Sequence, residues 1–136
     1  MLTIKTYLDK STIHGIGVFT SELVSKGQKI WVWEKDLEII VPHEFLAKLP
    51  EPAREYIKGF GYLDKEYGSY VLEFDNARFM NHSDDPAVRL FRNDKGEYVM
   101  CAMRDLKPGD EITSDYREFD HEYNFNPDKV KKQAFA

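Results

Sequence analysis

Short runs of β-branched and aromatic residues, separated by glycine-containing turns, recur along this chain and constrain its fold more than any other feature. In the first third they occupy residues 2–7, 17–20 and 29–34. Such runs, bounded by turn residues, are typical of strands joined by tight turns. At 136 residues the chain fits one domain, and a domain of this size buries roughly two-thirds of its unfolded surface. The sequence therefore predicts a single, mainly β domain.

The second half of the chain continues the strand pattern after a helical interruption. Residues 88–92 and 97–102 flank an Asn-Asp-Lys-Gly turn at 93–96, which predicts a β-hairpin. Residues 67–74 place aromatic and aliphatic side chains on one face with a period of two, as a strand does. The prolines and charged residues of segment 42–57 instead favour one or two short helices. We expect them to form an insert over about residues 42–62.

Composition narrows the classes of function. Hydrophobic residues make up 42% of the chain and charged residues 32%, which indicates neither a disordered protein nor a membrane protein. The apolar stretches are far shorter than the roughly 20 residues that cross a bilayer, and the N-terminus lacks a signal pattern. We therefore expect a soluble intracellular protein, cytoplasmic if bacterial and nuclear if eukaryotic or viral. The net charge of -5 favours basic partners over direct nucleic-acid binding.

The cysteine and histidine content argues against a metal centre. Cys101 is the single cysteine, so an intramolecular disulfide and a zinc cluster built on cysteines are both excluded within one chain. His14, His43 and His121 are scattered and lack the close spacing of metal ligands. We predict no bound metal.

Two segments combine residue types that carry chemistry. Residues 77–83 read Ala-Arg-Phe-Met-Asn-His-Ser, a mixture too polar for a core element and too apolar for an ordinary surface loop. Residues 109–116 read Gly-Asp-Glu-Ile-Thr-Ser-Asp-Tyr, which predicts a turn and a strand that ends near the phenol of Tyr116. Polar segments of this kind usually line a site. We therefore expect these two segments to share one.

These segments resemble the last two motifs of the SET-domain protein lysine methyltransferases, whose usual forms are Arg-Phe-x-Asn-His-Ser-Cys and Glu-Leu-x-Tyr-Asp-Tyr. Residues 14–19, His-Gly-Ile-Gly-Val-Phe, resemble the Gly-x-Gly that opens the same domain. The resemblance covers residues 14 to 116, and Asp84 stands where the family has cysteine. It implies a fold of small curved sheets with a C-terminal pseudoknot, here a domain over residues 1–118 followed by a tail over 119–136.

The resemblance also implies S-adenosylmethionine as the cofactor, with S-adenosylhomocysteine as the product. Glycines let a main chain approach a ligand closely, and an asparagine amide can both donate and accept hydrogen bonds. Without the resemblance, the glycines read as a turn, the asparagine as a turn cap and the histidine as a core residue. The cofactor contacts implied are Gly15, Ile16, Gly17, Arg78, Asn81, His82 and Tyr116.

Tyr116 occupies the position of the family's active-site tyrosine, so it is the candidate catalytic residue. A free lysine has a pKa of about 10.4, and burial in an apolar channel would lower it. Ser114 stands where the family usually has Phe or Tyr, which predicts a roomier channel that tolerates di- or trimethylation. The substrate channel is expected to include Ser114, Tyr62, Tyr70, Phe119 and Phe125.

The tail and the partners leave alternatives open. The aromatic residues after Tyr116 could close the site without zinc, form a dimer contact, or pack as a C-terminal strand. The expected partner is a basic, lysine-containing protein or peptide such as a histone, a ribosomal protein or a DNA-binding protein, with the enzyme a monomer or homodimer. Two other functions stay possible at this stage: a catalytically silent SET-like module that binds a peptide, and a small β-domain that acts as an assembly element.

Overall fold

The computed structural model describes residues 1–66 and 68–123, and within them the chain forms short strands with two short helices. The mainly β class predicted above is therefore confirmed. The strands are β1 Thr6–Lys10, β2 Ile16–Thr20, β3 Lys29–Val32, β4 Ile39–Val41, β5 Tyr62–Asp64, β6 Ser69–Leu72, β7 Asn81–His82, β8 Val88–Arg92, β9 Tyr98–Ala102 and β10 Glu111–Ser114. The helices are α1 His43–Leu46 and α2 Glu51–Phe60, and short 3-10 turns cover Asn76–Phe79 and Tyr116–Glu118.

The strands form three small sheets, and the last strand occupies a central place in one of them. The sheet orders are β1-β2-β10-β7, β3-β9-β8 and β4-β6-β5. Strand β10 pairs antiparallel with β2 and parallel with β7. Because a parallel pair cannot be closed by a tight hairpin, this arrangement joins segments that are far apart in sequence. It brings the Gly-x-Gly, Asn-His-Ser and Asp-Tyr segments together.

The predicted hairpin is present as β8 and β9. Its register runs from Val88 opposite Ala102 to Arg92 opposite Tyr98. In the turn, the side chain of Asn93 accepts backbone hydrogen bonds from Lys95 and Glu97. Gly96 has a φ of 78°, a backbone conformation that glycine adopts without steric cost.

The first strand lies later in the chain than predicted. The apolar residues Leu2 and Ile4 pack against the main core instead of forming a ladder, and Leu2 makes an isolated bridge to Trp31. Strand β1 follows as an exposed edge that pairs with β2 alone. The short strands β4, β5 and β7 were also not anticipated, because segments of two or three residues carry too few alternations to produce a periodic pattern.

Two hydrophobic clusters support the three sheets. The larger contains Val18, Val24, Ile30, Trp31, Met80, Ala87, Val88, Met100, Ala102, Leu106 and Ile112. The smaller contains Val41, Leu46 and Tyr70 beneath the two helices.

The helical insert begins and ends at residues suited to those places. Pro42 and Pro50 are the residues before α1 and α2, and Pro52 lies in the first turn of α2, where its missing N–H is not needed. Helix α2 ends at Gly61. A Cβ at Gly61 would lie 2.6 Å from the Ile57 carbonyl oxygen and 2.7 Å from that of Val71. The absence of a side chain therefore lets the helix pack directly against β6.

Candidate active site

A cavity of about 730 Å³ lies where the three sheets meet, and it is the place where the predicted catalytic tyrosine is found. Its wall includes Trp31 of β3, Tyr62 of β5 and Ser114 of β10, one residue from each sheet. The wall near β10 consists of the buried residues Met80, Ser114 and Tyr116 and the half-buried Phe119, which together we call the Tyr116 end. Exposed residues at its mouth are Lys65, Glu66, Arg92, Gly96 and Glu97.

Tyr116 is held from both its main chain and its side chain. The side chain is 5% exposed, and its hydroxyl donates to the carbonyl oxygen of Met80 at 2.5 Å. Its backbone N–H donates to Nδ1 of His82 at 3.1 Å. Asp115 precedes it and caps the 3-10 turn by accepting a bond from the Arg117 N–H at 3.0 Å. The phenol is therefore fixed at the cavity wall before any ligand enters.

The contacts of His82 define its tautomer. A backbone N–H can only donate, so Nδ1 of His82 must carry the lone pair that accepts from Tyr116. The proton of the neutral ring then lies on Nε2, which faces Oδ1 of Asp84 at 3.1 Å. Asp84, the residue in place of the family's cysteine, thus fixes the orientation of the imidazole that supports Tyr116.

A charged cluster secures the chain on either side of Tyr116. Arg117 donates two bonds of 2.8 Å to the carboxylate of Asp115 and lies 3.2 Å from Asp84. Arg89 lies 3.5 Å from the same Asp115 carboxylate and 3.3 Å from Glu118. The hydrogen bonds from Arg117 lower the pKa of Asp115, so this carboxylate is ionised at neutral pH.

Asn81 ties the Gly-x-Gly turn to β10. Its amide nitrogen donates to the carbonyl oxygens of His14 at 2.9 Å and Ile16 at 3.3 Å, and to Glu111 Oε1 at 3.0 Å. A Cβ at Gly17 would lie 2.0 Å from that Glu111 oxygen. Glu111 therefore occupies the space that glycine leaves. Sequence reasoning did not single out Glu111, although it lies in the 109–116 segment that was expected to share a site.

Gly15 and Arg78 also have defined positions. Gly15 has a φ of 46°, which favours glycine and turns the chain beside the Asn81 amide. Arg78 lines the cavity, where its Nε donates to the Glu73 carbonyl oxygen at 2.9 Å and its Nη1 lies 3.0 Å from the Tyr56 hydroxyl. The guanidinium is thus joined to the helical insert and to the end of β6.

The predicted channel residues do not all share the cavity. Tyr62 and Phe119 line it with ring centroids 5.1 Å apart, and Phe119 lies 5.8 Å from the Tyr116 ring. Tyr70 lies elsewhere, since its ring belongs to the smaller core and its hydroxyl donates to Glu122 at 2.7 Å. Tyr70 and Leu72 are buried, so their alternation reflects core packing, whereas Phe74 is exposed. Phe125 lies outside the described residues.

Part of the tail does pack against the site. The Tyr123 ring lies 5.0 Å from the ring of His82 and 5.7 Å from that of Tyr116. Burial and the nearby Asp84 carboxylate raise the pKa of Tyr123, so its hydroxyl is neutral at physiological pH. The described tail therefore contributes an aromatic face next to Tyr116.

Ser114 leaves an unsatisfied hydroxyl in the cavity wall. The residue is 2% exposed, and its Oγ finds no hydrogen-bond partner among the described residues. A buried polar atom without a partner is costly unless a ligand or water satisfies it. Ser114 therefore offers both space and one hydrogen-bonding group at the Tyr116 end.

Glu73 is a cavity residue that sequence reasoning missed. It is 7% exposed, and burial together with the nearby Glu38 raises its pKa to about 8. Desolvation and the Glu73 charge also raise the pKa of the Tyr62 hydroxyl far above its usual range. A glutamate at the end of a strand gives no signal of burial in the sequence.

The described residues contain no group of histidine, cysteine and acidic side chains that could hold a metal ion. Within the same residues, no helix is long and apolar enough to cross a membrane.

Comparison with known proteins identifies the family to which this geometry belongs. The family model described as SET domain matches residues 15–117, which include the Gly-x-Gly turn, Asn81, His82 and Tyr116. The chain belongs to the SET-domain family. The resemblance inferred from three short motifs is thereby confirmed.

Individual relatives of this SET domain agree with that assignment. A Plasmodium falciparum (isolate 3D7) protein provisionally named histone-lysine N-methyltransferase 1 is 29% identical over 132 residues. The match covers 84% of this chain but 2% of the relative, so the SET domain spans a very small part of that protein's length.

Solved structures share the fold at low sequence identity. A provisionally named histone methyltransferase of Plasmodium falciparum superposes with a TM-score of 0.58 at 22% identity, covering 85% of this chain and 95% of that one. A humanized mutant of the Chaetomium thermophilum Polycomb Repressive Complex 2, bound to an inhibitor, gives a TM-score of 0.60 at 20% identity, with 89% of this chain and 16% of that one covered. These likenesses establish the fold of the SET domain.

Proposed function

We propose that this SET domain transfers a methyl group from S-adenosylmethionine to the side-chain amine of lysine in a basic protein. The observation that carries the proposal is the buried phenol of Tyr116, fixed at a cavity wall by the Met80 carbonyl oxygen at 2.5 Å. Histone-like proteins are the expected class of substrate. The net charge of -5 supports attraction of a cationic partner.

The Tyr116 end can orient an incoming amine. The Met80 carbonyl oxygen and the Tyr116 phenol oxygen are adjacent acceptors, since one already bonds to the other. A neutral amine that donates one N–H to each of these two oxygens would have its lone pair held in a single direction, as attack on a methyl group requires. Positioning of this kind is the main contribution that a protein makes to a direct transfer between two bound molecules. Buried surroundings would also lower the lysine pKa and favour the neutral amine.

Residues around Tyr116 fit a cofactor that has an aromatic base and an amino-acid part. When bound, S-adenosylmethionine supplies the activated methyl group. The rings of His82, Tyr116 and Tyr123 form an aromatic face that could bind the base. The buried His14 Nδ1 beside the Gly15–Gly17 turn lacks a hydrogen-bond partner among the described residues, so it could satisfy a polar group of the cofactor. Ile16 and Asn81 would hold that turn in place, and Arg78 would border the cavity.

Ser114 would set how many methyl groups the product carries. Its side chain is smaller than the aromatic residue usual in the family, so it leaves room for a bulkier methylated amine. Tyr62 and Phe119 line the same cavity and limit that room. We propose di- or trimethylation, and mass spectra that contain only monomethyl product on a good substrate would refute this part.

One observation favours a second candidate, a catalytically silent SET-like module that binds a peptide. The amide nitrogen of Asn81 already has three acceptors within 3.3 Å, all from the protein itself. An amide committed in this way is less available to a cofactor. The two candidates differ in whether the SET domain binds S-adenosylmethionine.

Calorimetric titration with S-adenosylmethionine and S-adenosylhomocysteine separates these candidates. Micromolar binding of both, followed by methyl incorporation into a mixture of basic proteins, is the result expected for the enzyme. No heat at millimolar ligand, with or without a lysine-containing basic peptide, would instead select the silent module. Asn81→Ala tests whether the Gly-x-Gly turn must be held for binding, and Asn76→Ala, a second asparagine that bonds through its amide to Thr6, is the matched control.

A further inference from the structure

The cavity has a second end that differs in character from the Tyr116 end. The aromatic wall continues from Phe119 to Tyr62, whose hydroxyl lies within the field of the Glu73 carboxyl. The indole Nε1 of Trp31 points at Glu73 Oε2 at 3.5 Å. The rings of Trp31 and Tyr62 thus border one buried carboxyl group. We call Trp31, Trp33, Tyr62 and Glu73 the Glu73 end.

Two buried carboxyl groups, those of Glu73 and Glu38, lie close together at the Glu73 end. The side chain of Glu38 is 0% exposed, and it lies close enough to act on Glu73. The ammonium group of Met1 lies 3.8 Å from Glu73 and 4.0 Å from Glu38. Among the described residues, this ammonium group is the one cation within 4.0 Å of the two carboxyl groups, since Arg78 bonds to the main-chain carbonyl oxygen of Glu73 instead. A buried carboxylate without its own partner is unfavourable, so this pair must take up either a proton or another cation.

The two ends belong to different parts of the fold. Trp31 and Met100 face each other in the β3-β9-β8 sheet, whereas Ser114 ends β10 in another sheet. A volume of about 730 Å³ falls in the range of about 300–1,000 Å³ that holds a drug-sized ligand. A single lysine side chain at the Tyr116 end would leave much of this space unfilled.

We propose that the Glu73 end is a subsite for a second basic side chain, an arginine close in sequence to the target lysine of the same peptide. The inference rests on the proposed function, because the peptide that enters the cavity is taken to be the methyl acceptor. A guanidinium is planar, stacks on aromatic rings and binds a carboxylate in a fixed geometry. Those are the groups present at the Glu73 end.

Exposed residues of both charge signs line the same cavity. Lys65, Glu66, Arg92 and Glu97 line the cavity and are exposed. Arg92 and Glu66 neutralise each other at 3.1 Å. An arginine that passes this mouth exchanges water for the aromatic rings and the Glu73 carboxylate. Substrates should therefore be selected by a lysine and an arginine together.

The tryptophans provide a direct probe of this end. The chain contains two tryptophans, and both line the cavity. The ligands are synthetic alanine peptides with one central lysine and one arginine placed at each flanking position in turn. In the matched peptides citrulline, which has the same shape without the charge, replaces arginine. Binding is followed by intrinsic tryptophan emission and by calorimetry in the presence of S-adenosylhomocysteine.

At the preferred position, we expect the arginine peptide to bind about tenfold more tightly than its citrulline counterpart, as for a hydrogen bond to a charged partner. Glu73→Gln keeps the size of the side chain but cannot ionise when a guanidinium binds beside it, so it should reduce this ratio to about one. Glu55→Gln removes an exposed carboxylate on α2, outside the cavity lining, and should leave the ratio unchanged.

Equal binding of the arginine and citrulline peptides at every position would overturn the proposal, as would an arginine preference that survives Glu73→Gln. The lysine-only peptide gives a further test. If it changes the tryptophan emission of the wild type but not that of Glu73→Gln, the target lysine itself binds at the Glu73 end, and the proposal is overturned. If Glu73→Gln fails to fold, the comparison of arginine and citrulline peptides on the wild-type protein still tests the subsite. In that case, arginine preference with a tryptophan response supports the subsite, and its absence rejects it.

These measurements separate the subsite from the methyl transfer. Arginine-dependent binding without methyl transfer, measured on the same peptides with labelled S-adenosylmethionine, would support the subsite and reject the proposed enzyme activity. Methyl transfer at equal rates to arginine and citrulline peptides would support the activity and reject the subsite.

Discussion

The carboxyl groups of Asp115, which precedes Tyr116, and of Glu73, which lines the cavity, have pKa values that move in opposite directions. Arg117 donates two hydrogen bonds of 2.8 Å to Asp115 and lowers its pKa. Glu73 has no such partner, and burial beside Glu38 raises its pKa to about 8. Both side chains are less than a tenth exposed. The comparison teaches that the nearest hydrogen-bonding cation, rather than exposure, decides which carboxyl group is charged.

The difference extends to the two ends of the cavity. At the Tyr116 end, hydrogen bonds to Met80, His82 and Asp115 fix the chain before a ligand arrives. At the Glu73 end, two carboxyl groups share one ammonium group. The Tyr116 end is held in place before a ligand binds, whereas we propose that the Glu73 end is stabilised when a cation binds. Each of the following changes is directed at one side of this comparison.

Tyr116→Phe should have the largest effect. Loss of the hydroxyl that we propose orients the amine should lower kcat about 100-fold, in line with removal of one positioned hydrogen-bonding group from other active sites. The affinity for S-adenosylmethionine, measured by calorimetry, should change little. Tyr7→Phe, which removes an exposed phenol hydroxyl, is the matched control and should retain full kcat. Equal rates for the two variants would exclude a catalytic role for Tyr116.

Glu73→Gln should change how stability depends on pH. The pKa of Glu73 is raised in the folded protein to about 8, so its protonated form stabilises the fold at acidic pH. That contribution is lost as pH rises from the unfolded-state pKa, about 4.5, through about 8. Relative to pH 5, the wild type should lose roughly 2–4 kcal/mol more than the variant at pH 8. Urea denaturation of both proteins between pH 5 and pH 8 measures this difference. If the free energy of unfolding changes equally with pH in both proteins, the raised pKa does not belong to Glu73.

Asp115→Asn should weaken the Tyr116 end more modestly. The variant loses the charged bonds to Arg117 but keeps a side-chain oxygen for the cap, so we expect about 1 kcal/mol of lost stability at neutral pH. Because the pKa of Asp115 is lowered, its contribution is present above the unfolded-state pKa of about 3.9 and lost as pH falls through the folded-state value. The stabilities of the two proteins should therefore converge in acid. Asp94→Asn, on the exposed hairpin turn, controls for loss of one negative charge.

Ser114→Ala should have the smallest effect on stability. The hydroxyl has no partner among the described residues, so its removal should be neutral or stabilising by up to about 1 kcal/mol. Thermal unfolding measures this change. Thr113→Val is the contrasting control. The Thr113 hydroxyl accepts a hydrogen bond from the Ala87 N–H at 3.0 Å, so its removal should lower stability. A clear loss of stability in Ser114→Ala would mean that the hydroxyl holds a buried water.

Prediction from sequence worked where the signal is local. The β8-β9 hairpin follows from an Asn-Asp-Lys-Gly turn between two runs of strand formers, and prolines set the starts of both helices. Tyr116, Asn81 and His82 could be singled out because they lie in short, distinctive motifs, and their roles stay predictions. The domain boundary at about residue 118 stays a prediction, as does any role of Phe125.

Prediction failed where one residue type has two uses. The period-two pattern of Tyr70 predicted a strand correctly but could not tell a core position from a channel position. The apolar residues at the N-terminus pack against the core, although the same pattern is typical of a strand. Glu73 could not be identified, because nothing in its neighbours along the chain reveals that it is buried beside Trp31 and Glu38.

The sequence by itself determined the fold class, the family and the candidate catalytic residue, since these depend on residue types at fixed spacing. Only the tertiary structure decided the charges and the shape of the site. Strand β10 lies between β2 and β7, and this long-range pairing places Glu111 over Gly17 and Tyr116 beside His82. The physical reason is that pKa values and cavities depend on distances through space, which strands far apart in the chain set only when they pair.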